Sequence, residues 1–279
     1  MVATAHRRVI TFVAFSATLI LVSCSGPAGP QPGTPAFDWA AAKETFAAGD
    51  YAKTVDNLDR VAASENEFTG KARPWLLILT SGMARGYIEL GDRFENGART
   101  NKADPSTFRK NMTMYRGEAG RAALHFAQVF GDFQKTKNDS VPLAFPYPTG
   151  SANPPLVLTK IASGIIPTAG DIETAQKQNI ARGVLLAACA AVGAPDDVAK
   201  TQEIFKAPDA KVARSVFVEA MAAALFDQSQ LFSRQKLDDP EKMKVFCTRA
   251  QDALKGLPES KTTKELGTKI EKALKPSKS

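Results

Sequence analysis

Few residues of this chain are able to carry chemistry, and their spacing decides which chemistry is open to them. Cysteines stand at 24, 189 and 247, histidines at 6 and 125, and adjacent carboxylates at Asp196-Asp197 and Asp238-Asp239. A thiol can be acylated, oxidised or metallated, whereas a lone imidazole acts as a base only with a nucleophile and an orienting group beside it. A catalytic zinc normally takes two or three histidines, and neither the histidines nor the cysteines stand at metal-ligand spacing. The chain carries no G-x-S-x-G, no G-x-G-x-x-G and no phosphate loop ending in Gly-Lys-Ser or Gly-Lys-Thr, so those nucleophilic, dinucleotide and nucleotide sites have no carrier here. The aspartate pairs suit acid-base work on a glycan, but each lies beside a proline (Pro195, Pro240) at a predicted helix start, where carboxylates cap the helix and meet its dipole. His125, next to Phe126 on a helical stripe, reads as a packed or half-exposed helix residue. The expectation is no enzyme, no metal and no cofactor.

Cys24 has a more particular setting. His6-Arg7-Arg8 precedes an uncharged apolar block, 9–22, interrupted only by Thr11, Ser16 and Thr18, and Ser25-Gly26-Pro27 follows the cysteine at once. The block is shorter than the roughly 20 residues of a membrane span and no Lys/Arg cluster stops it, which is the pattern of an export signal. Position by position, Leu21-Val22-Ser23-Cys24 resembles the lipobox of bacterial lipoproteins. That resemblance implies a diacylglyceryl group on the Cys24 sulfur, cleavage after Ser23, and acylation of the new amino group. Each buried acyl CH2 contributes about 0.8 kcal/mol, so two or three chains form a lasting membrane anchor. Ordinary secretion, a retained N-terminal helix and a twin-arginine route through Arg7-Arg8 are the alternatives. Ser25 is not the aspartate that retains many enteric lipoproteins on the inner membrane, which points to a cell-envelope protein on the outer membrane, facing the periplasm, in a cell with two membranes.

Removing residues 1–23 from the 279 leaves 256, and because Arg7 and Arg8 leave with them the formal charge falls from +7 to +5. That excess is modest and spread along the chain, so nucleic acid is not an expected partner. Residues 24–35 read as a tether, with four prolines and three glycines between 25 and 35. The body, 36–275, is expected to be all-α, and 276–279 a disordered tail. An oxidising compartment permits a disulfide between Cys189 and Cys247, though both fall in apolar helical patterns where two buried thiols are equally at home.

The elements that position these residues follow from apolar periodicity. Helices are predicted at 37–48, 51–63 and 72–90, where Gly82 and Gly86 lie one turn apart on an apolar face. Two glycines there cost about 1 kcal/mol each in propensity, which implies that another helix approaches closely. A long helix opens at Asp104-Pro105, carrying Phe108, Met112, Tyr115, Ala119, Phe126 and Phe133 on one stripe. Residues 138–155 contain five prolines with Phe145 and Tyr147, and must be extended and irregular. Further helices are predicted at 156–166, 172–192, 195–205, 209–232, 240–257 and 260–275; no alternating run argues for a sheet. The last helix has a narrow apolar stripe among lysines and reads as docked on the core, with an anionic lipid surface as its alternative.

Gly-Asp recurs at 49, 91, 131 and 170, steps of 42, 40 and 39 residues, and twice an aromatic follows, at Tyr51 and Phe133. With Ala41, Ala42, Leu58 and Val61 around Gly49-Asp50-Tyr51, and Ala84 and Tyr87 before Gly91, this resembles the inter-helix turn of tetratricopeptide repeats. Thr54 stands where that family prefers alanine, and the spacing exceeds its usual period of about 34 residues. The resemblance implies antiparallel helix pairs stacked as a degenerate array; an irregular helical bundle is the alternative. A stacked array offers a curved face to a protein partner, so the leading expectation is a lipid-anchored envelope scaffold holding one. The second is a small-ligand-binding accessory lipoprotein similar to the TatT-type helical lipoproteins of transport systems, with Phe145 and Tyr147 as a binding loop covering or lining a pocket.

Overall fold

In a computed structural model, residues 29–275 are described, and they form ten α-helices with one two-stranded sheet. The predicted export signal, the lipobox-like residues with Cys24, the start of the predicted tether and residues 276–279 lie outside the described residues. No helix among those described is long and apolar enough to cross a membrane.

The chain enters through a turn at 31–34, and the Thr34 side chain caps α1 (Pro35–Ala47), with proline at the first helical position. Gly49, at φ +75°, reverses the chain; Asp50 then caps α2 (Tyr51–Ala62) by accepting from Lys53 N at 3.2 Å. The predicted first pair is therefore present, including its Gly-Asp turn. The other Gly-Asp steps are different. Gly91-Asp92 lies inside α3 (Thr69–Thr100), Gly131-Asp132 inside the last turns of α4 (Ser106–Gln134), and Gly170-Asp171 in the first turn of α6 (Ala169–Ala191), where Thr168 and Asp171 form a reciprocal capping box. The spacing near 40 residues is thus not a spacing of turns.

At 32 residues α3 is about 48 Å long, at 1.5 Å rise per residue, and forms the axis of the body. It packs against α4 on one side and α6 on another. The expected break after residue 90 does not occur because the glycines there are contact points. A β-carbon on Gly97 would sit 2.4 Å from the Phe108 ring and 2.5 Å from the Ile161 carbonyl, and one on Gly91 would meet the Arg116 stem at 3.3 Å. Residues that read as poor helix formers are those that let α4 and α5 (Leu156–Ala162) close on the axis.

The proline-rich segment runs extended as expected and contributes β1 (Ser140–Pro142), paired antiparallel with β2 (Lys211–Ala213) through Val141 and Val212. Three-residue strands are too short to leave an alternating signature. The predicted helix 209–232 accordingly starts later, as α8 (Arg214–Ser229), and ends in a 3-10 turn at Gln230–Phe232. Before it comes α7 (Val198–Lys206); after it, α9 (Pro240–Lys255) and α10 (Lys261–Leu274) form the closing pair, with Leu266 and Ile270 of α10 buried. Both aspartate pairs are caps: Asp197 accepts from Lys200 N at 2.9 Å and Asp239 from Lys242 N at 3.0 Å, while Asp196 and Asp238 hold positive φ just before them.

Candidate functional site

The cysteines of the body are both free and fully buried. Cys247 Sγ lies 3.4 Å from Ser229 Oγ, and burial raises both thiols above the ordinary range, which suppresses thiolate chemistry. Of the two sequence readings, the structure has buried thiols rather than a disulfide.

The aromatics of the proline-rich segment serve the core. Phe145 is packed among Trp39, Phe46 and Trp75, with ring centroids 5.1, 5.1 and 4.8 Å away. Trp75 Nε1 donates to the Leu143 carbonyl at 3.3 Å, fastening the segment to α3. Tyr147 meets Phe205 edge-on at 5.6 Å and its hydroxyl donates to the Val198 carbonyl at 3.3 Å. Phe145 thus joins the core between α1 and α3, Tyr147 packs on α7, and neither ring is among the residues lining the groove beside the loop. The later part of the loop does line a groove of about 710 Å³ with α6 and the α1–α2 turn, but its only charged lining group is Lys177.

His125 of α4 faces α2, where its Nε2 lies 3.1 Å from Asp59 Oδ1. That bond raises the imidazole above its ordinary 6.5, with burial opposing and the Asp59 and Asp56 charges adding to the rise. Because the folded-state value is the higher one, the pair contributes its full stability below pH 6.5 and loses it as pH rises through the raised value. Asp59 is 41% exposed, so screening keeps the effect to about 0.5 kcal/mol. Urea unfolding of His125→Ala against the parent should show that deficit at pH 5.5 and a smaller one at pH 9; an equal deficit at both would assign the loss to packing.

One cleft combines volume with unmet polar groups. It lies between α3, α6 and α8 and holds about 530 Å³, within the range of small-molecule sites. On α3, Ser81, Arg85, Ile88, Asp92 and Asn96 follow one another at three- and four-residue steps and so form one stripe, with Glu89 and Arg93 beside it. On α8 the same spacing sets Ala220, Ala223, Ala224 and Asp227 toward the hollow, with Met221 and Gln228 at its edge; α6 adds Arg182, Ala187 and Ala190. The walls are therefore small and apolar, and the mouth is charged.

Most of that charge is internally matched. Glu89 is held by Arg93 at 3.2 Å and, more closely, by Arg182, whose Nε also donates to the Ala152 carbonyl at 2.6 Å. Asp92 pairs with Lys236 at 2.7 Å. Arg85 and Asp227 have no ion-pair partner within 4 Å among the described residues. Asp227 still reaches solvent, yet the surrounding chain desolvates it enough to raise its carboxyl above the ordinary range, against the pull of Arg85 and Lys269. Beside it Gln228, 3% exposed, donates through Nε2 to the Ser81 carbonyl at 3.4 Å, while its Oε1 is buried with no partner. A buried acceptor without a donor costs about 1–3 kcal/mol, so this one needs a reason.

The cleft's width is set by contact between backbones. A β-carbon on Gly183 would stand 2.2 Å from the Gly82 carbonyl, and one on Gly82 would stand 2.5 Å from the Val184 α-carbon. Asn179 Nδ2 donates to the Gly86 carbonyl at 2.7 Å one turn along. Gly82 and Gly86 do admit a neighbouring helix, as their spacing predicts. Sequence reasoning missed the cleft; the signal available was a second, polar stripe on α3, facing two alanine-rich segments.

Among the described residues no cluster of His, Cys, Asp and Glu could hold a metal ion. No protein family, curated protein or solved structure matches the chain.

Proposed function

We propose that this chain is a lipid-anchored binding protein of the cell envelope, tethered through Cys24 and facing the periplasm, whose α3–α6–α8 cleft takes a small ligand without chemical turnover. The observation that carries this reading is the cleft itself: about 530 Å³ walled by alanine side chains, with Arg85 and Asp227 at its mouth and without ion-pair partners among the described residues. An apolar hollow with a few placed polar groups that set orientation is the usual construction of a ligand site. Cys24 with Leu21-Val22-Ser23 before it, and the glycine- and proline-rich stretch that leads to α1, support the anchor.

A second reading, a scaffold holding a protein partner, is favoured by a different place. Leu156 is 73% exposed, and Ile165 and Ile166 are 57% and 49% exposed just beyond α5. Large apolar side chains left exposed at both ends of one short helix are of the kind that protein contacts cover.

Thermal unfolding of the Cys24→Ser protein against a panel of amino acids, short peptides, sugars, dicarboxylates and polyamines separates the two. A ligand at a hundred times its dissociation constant adds about 2.7 kcal/mol, which for a chain of this size raises the midpoint by about 5 °C or more. At least one class should do so, and Ala224→Trp, which fills the hollow, should abolish the shift. No shift in the parent, or a shift unchanged by Ala224→Trp, would overturn the cleft as the site.

A further inference from the structure

Resting on that reading, we infer that the α3–α6–α8 cleft selects a zwitterion of the amino-acid class, a short peptide with small apolar side chains, its carboxylate on Arg85 and its ammonium on Asp227.

Glu89 and Asp92 are taken up by Arg93, Arg182 and Lys236, two carboxylates against three cations, so that set leaves no free carboxylate. Arg85 and Asp227 line the same cleft without an ion-pair partner within 4 Å among the described residues, and Lys269 is a further positive charge acting on Asp227. A ligand bearing only an ammonium would satisfy Asp227 while meeting repulsion from Arg85, and a simple carboxylate would meet the converse. A molecule carrying both groups satisfies both, and guanidinium suits a carboxylate through paired N–H donors.

Charge decides which end goes where. The exposed Asp227 carboxylate is an acceptor alone and calls for a group with several N–H donors, as an ammonium has. Between the charged ends, Ala187, Ala190, Ala220, Ala223 and Ala224 give a wall with no hydrogen-bonding side chains. Such a wall accepts methyl-sized groups and rejects hydroxyl-rich sugars, whose polar groups would be desolvated there.

Isothermal titration of the Cys24→Ser protein with tri-L-alanine, N-acetyl-tri-L-alanine, tri-L-alanine amide and free L-alanine tests this. Trialanine should bind, and removing either charge should weaken it at least tenfold. Arg85→Ala should abolish the preference for the free carboxylate over the amide, and Asp227→Asn the preference for the free over the acetylated amine; both side chains are exposed, so both variants should fold. Tighter binding of trialanine than of alanine supports a peptide, and the reverse supports the same zwitterion as a free amino acid. Equal binding of the blocked forms overturns the inference. So does silence from trialanine and alanine while another panel compound raises the midpoint in an Ala224-sensitive way, and in that case the cleft remains the site. If no compound acts at all, the reading of the cleft falls too.

Discussion

Replacing Gly183 by alanine should cost the fold about 3 kcal/mol, a large fraction of the 5–15 kcal/mol that holds a typical domain together. Glycine to alanine inside a helix ordinarily stabilises by roughly 0.5–1 kcal/mol. At Gly183 the new methyl would fall 2.2 Å from the Gly82 carbonyl oxygen and 3.0 Å from the Gly86 nitrogen, both backbone atoms of the axial helix. Neither can rotate away as a side chain would, so α6 must withdraw from α3, and the Asn179 bond to the Gly86 carbonyl is drawn out with it. Overpacking of this kind typically costs 1–3 kcal/mol, and the lost buried bond adds to that. Gly131, also inside a helix, has nothing within 4 Å of its virtual methyl. Gly131→Ala should therefore stabilise by up to about 1 kcal/mol. Urea midpoints of the two variants should move in opposite directions; movement in the same direction would mean that the α3–α6 contact is looser than described.

The second large effect is all or none. If Cys24 carries the lipid, cells fed labelled palmitate should label the parent and not Cys24→Ser, and the variant should leave the membrane fraction. Removing two or three acyl chains removes most of the anchor at about 0.8 kcal/mol per CH2, so the partition should swing from almost wholly bound to almost wholly soluble. An unlabelled parent, or a variant retained on membranes like the parent, would sink the anchor and the envelope address together.

The comparison between sequence and structure turns on particular residues. The helix class, the first helix pair, the aspartate caps and the close approach at Gly82 and Gly86 were legible because each depends on local spacing or on one residue type whose physics is unambiguous. Gly183 was not, since it lies in an alanine-rich run that already reads as a good helix and gives no sign of needing a small residue. The length of α3 was hidden for the opposite reason: Asn96 and Gly97 look like breakers, and only the Phe108 ring and the Ile161 carbonyl packed against position 97 explain them. Tertiary contact overrides propensity there by more than the roughly 1 kcal/mol a glycine costs a helix.

The packing of Phe145 and Tyr147 was hidden for a third reason. In a segment broken by prolines there is no period to assign faces, so two aromatics look available to a ligand. In the fold Phe145 is nine-tenths buried against two tryptophans. The α3–α6–α8 cleft escapes sequence reading because its parts come from residues 81–96, 182–190 and 220–228, which no single window joins. Each part alone looks like an ordinary helix face, and only their meeting leaves the Gln228 oxygen without a donor.

The central claim, that this cleft is where the protein binds, is tested most directly by amide correlation spectra of the 15N-labelled Cys24→Ser protein titrated with tri-L-alanine. Shifts should be concentrated in residues 81–96, 182–190 and 220–228, with the amides of Arg85 and Asp227 among the largest. Shifts centred instead on the groove at 149–155, or no site-specific shifts at saturating peptide, would contradict it.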